Sequence, residues 1–179
     1  MWRVGLYIWR FQPFHNGHKS IVDKMLKENN ENVILIGVSE PDSITEDNKK
    51  SKDNPFSFYT RLCFFWDVYK KTKSSWLMIY PLLDNISDPQ WIQSILDIPP
   101  IADADTLRIY CGDRKNDSAI QVIQKYQDMF SPRKIEIQEI PRTLIPISGT
   151  EIRNSLQGWD TPAVWKKVPQ KVLSRIMKK

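Results

Sequence analysis

Val4-Gly5-Leu6-Tyr7-Ile8-Trp9-Arg10-Phe11-Gln12-Pro13-Phe14-His15-Asn16-Gly17-His18 passes from a strand into a helix within one short stretch. Val4 to Ile8 is a short, β-rich apolar run, the pattern of a strand buried on both faces. Pro13 closes the run, and after His15 the residues Ile21, Val22, Met25 and Leu26 recur at helical spacing. His15 and His18 are the chain's two histidines. Three residues apart on a first helical turn, their imidazoles project towards the same side. A helix N-terminus offers unpaired N–H groups and a positive dipole end, which suit phosphate. Gly17 lets a phosphate come close to the backbone, and the histidines can donate hydrogen bonds to it. Two alternatives stand beside this reading: a zinc site completed by Asp or Glu, and two histidines with a structural role only.

Working outward, further strand-like runs lie at Val33 to Val38, Trp76 to Tyr80, Leu107 to Cys111 and Ile135 to Ile140. Helical stretches fall between them around 57–72, 89–97 and 117–130. This alternation predicts an α/β fold, a doubly wound, Rossmann-like parallel sheet of about five strands. Its ligand is expected beyond the C-terminal strand ends. The polar stretch Glu40 to Asp53 has no period, and a mobile loop beside the site is expected there. Asn54-Pro55 then reads as an N-cap with Pro at the first helical position. Of six glycines, Gly17, Gly37, Gly112 and Gly149 fall at strand ends or helix starts. Such positions bring backbone close to a ligand or demand an unusual φ.

A length of 179 residues predicts one domain, 1–179, and 41% hydrophobic with 26% charged residues is ordinary for a soluble globular chain. No apolar run approaches the ~18 residues of a membrane span, and no secretory signal is evident. Cys63 and Cys111 are too few for a disulfide framework or a Cys-rich metal site, so a reducing, cytoplasmic setting is expected. The net charge of +5 raises a nucleic-acid reading. Between Trp165 and Lys179, however, lie six basic residues and no acidic one, and the rest of the chain is balanced at 20 basic against 21 acidic. With Val168, Val172, Leu173, Ile176 and Met177 at helical spacing, this tail predicts a basic amphipathic helix at about 165–179, docked by its apolar side. RNA or membrane-surface binding by its basic face is the alternative. Neither nucleic acid nor membrane is the expected partner, and the sequence leaves a homo-oligomer open.

A second constellation is Ile147-Ser148-Gly149-Thr150-Glu151-Ile152-Arg153. Ser148 and Glu151 have capping-box spacing, so a helix should begin here. Its free N–H groups, the Thr150 hydroxyl and Arg153 make a second anion site; a capped helix with a surface arginine is the bland alternative. Two such helix starts suggest a polyphosphate, for instance a nucleoside triphosphate. No G-x-x-x-x-G-K-[ST] and no G-x-G-x-x-G is present, which argues against a P-loop kinase or a dinucleotide binder.

These residues resemble a known family. Arg10 to His18 is similar to the R-F-Q-P-F-H-x-G-H stretch of HxGH nucleotidyltransferases, and Ile147 to Arg153 to their I-S-x-T-x-I-R motif. Asn54-Pro55-Phe56-Ser57-Phe58-Tyr59-Thr60-Arg61-Leu62 resembles the N-P-F-[ST]-x-x-E-R segment of one branch. That branch is the archaeal-type nicotinamide-mononucleotide adenylyltransferases, including adenylyltransferase domains fused to Nudix hydrolases. Trp159 to Val172 resembles the branch's ending. Nothing after it is expected to form a Nudix domain.

The resemblance implies transfer of AMP from ATP to nicotinamide mononucleotide, giving NAD and pyrophosphate. His15, His18 and Arg153 would be catalytic, with the histidines on the ATP phosphates. Ser148, Thr150 and Arg153 would hold the β and γ phosphates, with Phe11, Gly17 and Gly149 also at the nucleotide. Gly112 and Asp113, in a stretch similar to the branch's G-H-x-K-D-x-S loop, would lie near the adenosine. Arg10 would hold the acceptor phosphate or help to clamp the reacting phosphates, while Asp84 and Trp91 would meet the nicotinamide. Mg²⁺ would be bound through the ATP phosphates, with no metal-ligating residue assigned. The chain departs from the family at Trp9, which stands in place of glycine, at Thr60 in place of Glu and at Val38 in place of Ser. Those changes keep sister activities in view: nicotinic acid mononucleotide or a sugar phosphate as acceptor, CTP as donor, or a nucleotide-binding domain without catalysis.

Overall fold

Strands β1 (Arg3–Trp9), β2 (Glu31–Val38), β3 (Trp76–Leu83), β4 (Thr106–Cys111) and β5 (Lys134–Glu139) pair, all parallel, in the order β3-β2-β1-β4-β5. The computed structural model describes residues 1–39, 53–72, 76–112, 115–141, 147–158 and 165–178. β1 and β2 are apolar throughout their middles because helices cover both faces of the sheet, so neither side of these strands meets water. β5, Lys-Ile-Glu-Ile-Gln-Glu, alternates charge with isoleucine, as suits a half-exposed edge.

The helices are α1 (Asn16–Glu28), α2 (Phe58–Tyr69), α3 (Asp88–Leu96), α4 (Pro99–Ala102), α5 (Ser118–Lys125), α6 (Gly149–Gly158) and α7 (Gln170–Met177), with a 3₁₀ turn at Gln127–Phe130. Alternate β1 residues feed two cores. Leu6 and Ile8 join Ile92, Ile95 and Ile120 beneath α3 and α5. Tyr7 joins Phe14, Val22, Phe64, Ile152 and Val172 beneath α1, α2, α6 and α7. From β1 the chain winds outward to β2 on one side, and β4 lies on the other. That reversal of strand order opens a crevice at the carboxyl ends of the strands.

Two local expectations differ from the structure. Asn54-Pro55 does not start a helix: α2 begins at Phe58, and the Ser57 side chain accepts from the Thr60 N–H. Phe56 is held back because Gln12 grips its backbone in both directions. Phe56 N–H donates to Gln12 Oε1 at 3.0 Å, and Gln12 Nε2 donates to the Phe56 carbonyl at 2.7 Å. The tail helix is shorter than 165–179, because Pro169 sets its start and α7 runs Gln170–Met177. Val172 is buried, Met177 is not, and Arg175 is tied to Asp67 of α2 at 2.6 Å. No described glycine has a positive φ; Phe11 does, at 52°. Residues 40–52, expected as a loop, lie outside the described residues. No described helix is long and apolar enough to cross a membrane.

Candidate active site

The crevice is a cavity of about 760 Å³, with one flank on the side of α1 and α6 and the other on the side of α3 and α5. On the first flank the two histidines close α1 with their own rings. His18 N–H donates to His15 Nδ1 at 3.4 Å, and His15 N–H donates to His18 Nδ1 at 3.3 Å. The rings stack with centroids 3.6 Å apart, and both residues are buried. With each Nδ1 accepting, the proton of each neutral imidazole sits on Nε2, and both rings can act as Nε2–H donors. Aromatic rings fix His18 in place: Phe11 is 4.9 Å away edge-on, with Phe14 at 5.9 Å and Trp9 at 6.2 Å. Asn16 ties the same turn to the C-terminal region through its N–H to the Lys167 carbonyl (2.9 Å) and its Nδ2 to the Lys166 carbonyl (3.0 Å).

α6 begins at Gly149, where the Ser148 spacing places a helix start, and the Ser148 carbonyl accepts from Ile152 N–H. Glu151 turns outward to Lys167 at 2.9 Å. Arg153 joins this helix start to the β1–α1 turn: its Nη1 donates to the Gln12 carbonyl at 2.8 Å and its Nη2 to Thr150 Oγ1 at 3.0 Å. Gly149 makes that approach feasible, because a Cβ there would lie 3.3 Å from both Arg153 Nη1 and the Gln12 carbonyl. Asp53 Oδ1 stands 3.4 Å from the same guanidinium.

On the other flank Arg10 pairs with Asp84 at 3.0 Å, with the arginine side chain half exposed. The Asp84 carboxylate lies over Gly37, where a Cβ would come within 3.0 and 3.1 Å of its oxygens. Asp88, at the start of α3, pairs with Lys125, whose ammonium is held above its usual range mainly by that hydrogen bond. Asp117 caps α5 by accepting from Ala119 and Ile120 N–H. Trp91 is 9% exposed and packs in the core beneath α3, so it forms cavity wall, not a free-standing platform.

His15, Gly17, His18, Ser148, Gly149, Thr150 and Arg153 therefore line one cavity with Arg10, Asp84, Trp91 and Gly112. Phe11 does not line it: the ring is fully buried, edge-on to Tyr7, His18 and Phe65. Asp113 lies outside the described residues. Among the described residues no three His, Cys, Asp or Glu side chains cluster as a metal cage. Two buried side chains escape sequence reasoning. Gln12 holds Phe56, and Arg61, 2% exposed, donates to the carbonyls of Ser57, Gly37 and Arg10. Burial pulls the Arg61 guanidinium down to about 10, still charged at neutral pH. Its place at the end of the Asn54-to-Leu62 motif was the available signal.

The cytidylyltransferase-like family matches residues 6–80 of this chain. A nicotinamide-nucleotide adenylyltransferase of Methanocorpusculum labreanum is 29% identical over 174 residues, which cover 96% of this chain and 89% of that protein. Among solved structures, a bifunctional NMN adenylyltransferase/ADP ribose pyrophosphatase from Francisella tularensis superposes with a TM-score of 0.65 at 19% identity. The match covers all of this chain and 51% of that one, so this chain spans about half of that protein's length. The same Francisella enzyme complexed with AMP and a manganese ion superposes at 0.64, with 16% identity over 99% of this chain and 52% of that one.

Proposed function

We propose that this chain, whose residues 6–80 match the cytidylyltransferase-like family, is an adenylyltransferase that moves AMP from ATP to nicotinamide mononucleotide, giving NAD and pyrophosphate. One observation carries the reading: two helix starts, one bearing the His15–His18 pair and one bearing Thr150 and Arg153, face the same cavity and are joined by Arg153. Donors set around one space in this way suit a chain of phosphates.

In this reading the 179 residues act as one nucleotidyltransferase domain. Ser148, Gly149, Thr150 and Arg153 would hold the β and γ phosphates. The Nε2–H groups of His15 and His18 would meet the α-phosphate, and Gly17 backbone would border the nucleotide, with Phe11 supporting His18 from the core. Gly112 and Asp113 would lie by the adenosine. A phosphate oxygen of the acceptor attacks the α-phosphorus in line, a new P–O bond forms, and the bond to the β-phosphate oxygen breaks to release pyrophosphate. That oxygen is ionised at neutral pH, so no general base is required; positioning and charge stabilisation supply the rate. A divalent ion enters with the ATP as part of the substrate, with Mg²⁺ the one proposed. The donor set fits this, since single carboxylates border the cavity and phosphates would supply most of the ion's ligands. Arg10 would take the acceptor phosphate, and Asp84 and Trp91 the amide-bearing ring. No nucleic acid or membrane partner is invoked; the enzyme would work in the cytoplasm.

The test is pyrophosphate release from Mg²⁺-ATP against nicotinamide mononucleotide, its acid analogue and ribose 5-phosphate, with products resolved by chromatography. NAD formed ahead of the other products supports the reading. Release with another acceptor moves the identity to a sister enzyme, and ATP binding without release with any acceptor overturns catalysis.

A further inference from the structure

We propose that Arg61 is a positioning residue of the acceptor subsite: its buried guanidinium fastens the carboxyl ends of β1 and β2 to the start of α2, and so fixes where Arg10 and Asp84 meet the acceptor. This rests on the adenylyltransferase reading above.

The register of the sheet makes the point. β1 and β2 pair from Val4 opposite Glu31 to Trp9 opposite Ile36. The next rung would set Arg10 opposite Gly37. At that rung Arg61 Nη1 donates to both carbonyls, at 2.7 Å to Arg10 and 2.8 Å to Gly37. Its Nε donates to the Ser57 carbonyl at 3.2 Å, which joins both strand ends to the α2 cap. Both residues so held carry acceptor groups. Arg10 bears the guanidinium itself, and Gly37 is the floor on which the Asp84 carboxylate rests. Asp84 N–H is bonded to the Val38 carbonyl at 2.9 Å, one residue further along β2. A shift of the Gly37 end would therefore carry Asp84 with it. Arg61 also lies close enough to Asp84 and Arg10 for the three charges to interact.

A lysine cannot reproduce this fork, because one ammonium cannot reach three carbonyls set around a planar group. A methionine fills similar volume and removes a costly buried charge, so R61M should still fold. The experiment measures steady-state kinetics of R61K and R61M against wild type, with each substrate varied in turn, alongside amide hydrogen exchange. The acceptor KM should rise tenfold or more in both variants while the ATP KM stays within twofold. Amides within 9–12 and 36–39 should lose protection relative to the rest of the sheet. A residue that merely stabilised the fold would lower the melting temperature and leave both KM values in place; that result, or a joint rise of both, overturns the proposal. Should wild type fail to use nicotinamide mononucleotide at all, the function is wrong. The exchange arm then decides the positioning claim by itself, and unchanged protection at both strand ends rejects it.

Discussion

The two flanks of the cavity are built from the same parts and carry opposite chemistry. On the side of α1 and α6 most polar groups are donors, namely two imidazoles, a hydroxyl, an arginine and two helix starts, and Asp53, a carboxylate there, is paired with that arginine. On the side of α3 and α5 they are largely carboxylates, Asp84, Asp88 and Asp117, each already engaged by a cation or a helix cap. A helix N-terminus occupied by an aspartate of its own already holds an anionic charge, whereas one closed by the His15–His18 pair carries no carboxylate. In the proposed reaction that difference would assign the phosphates to the first flank and the acceptor ring to the second.

The largest test of that contrast is His18→Ala. Loss of one preorganised donor should lower kcat by about 10²–10³-fold, whereas losing a cap partner should cost only about 1 kcal/mol of stability. Steady-state rates and thermal melts on one preparation separate the two effects, and a fall in kcat below tenfold would move the reactive end elsewhere. The carboxylate flank should repel an acidic ring. Nicotinamide mononucleotide should exceed nicotinic acid mononucleotide in kcat/KM by about tenfold or more, an energy of about 1.4 kcal/mol. D84N should narrow that ratio, and a wild-type preference for the acid would break the comparison.

The smallest effect lies away from both flanks. A hydrogen bond from Arg175 holds the Asp67 carboxyl below its usual range, and this pair docks α7 on α2. A carboxyl with a lowered folded pKa stabilises fully above its unfolded value, near 3.9, and loses that contribution as the pH falls through the folded one. D67N should therefore cost about 0.5–1 kcal/mol at neutral pH, a modest figure because Arg175 is partly exposed. Urea titrations should show the gap to wild type closing as the pH drops below about 4. A gap that persists in acid would assign the docking to Val172 and its apolar neighbours.

The parallel strands were legible because buried strands write themselves as uninterrupted apolar runs, and Val33 to Val38 can be little else. The donor flank was legible because each of its parts is local, a motif of a few residues at a helix start. The carboxylate flank was not. Arg10 and Asp84 are 74 residues apart, and no spacing rule links them. Asn54-Pro55 failed as a helix start for the same reason, since the deciding partner, Gln12, is more than forty residues away. Of the two roles expected for the glycines, close approach is met and an unusual φ is not found in those described. Gly37 and Gly149 are needed for close approach, and the left-handed backbone falls to Phe11. That conformation costs about 1–2 kcal/mol in a residue with a Cβ, offset here by a fully buried ring.

Asn16, between the two histidines, is bonded to the backbone of Lys166 and Lys167, 150 residues further on. During synthesis the histidine turn precedes its two anchors by some 150 residues, all of which must be added before the anchors exist. A premature stop just before residue 165 removes far more than a basic tail, because it leaves the histidine turn without these two anchors.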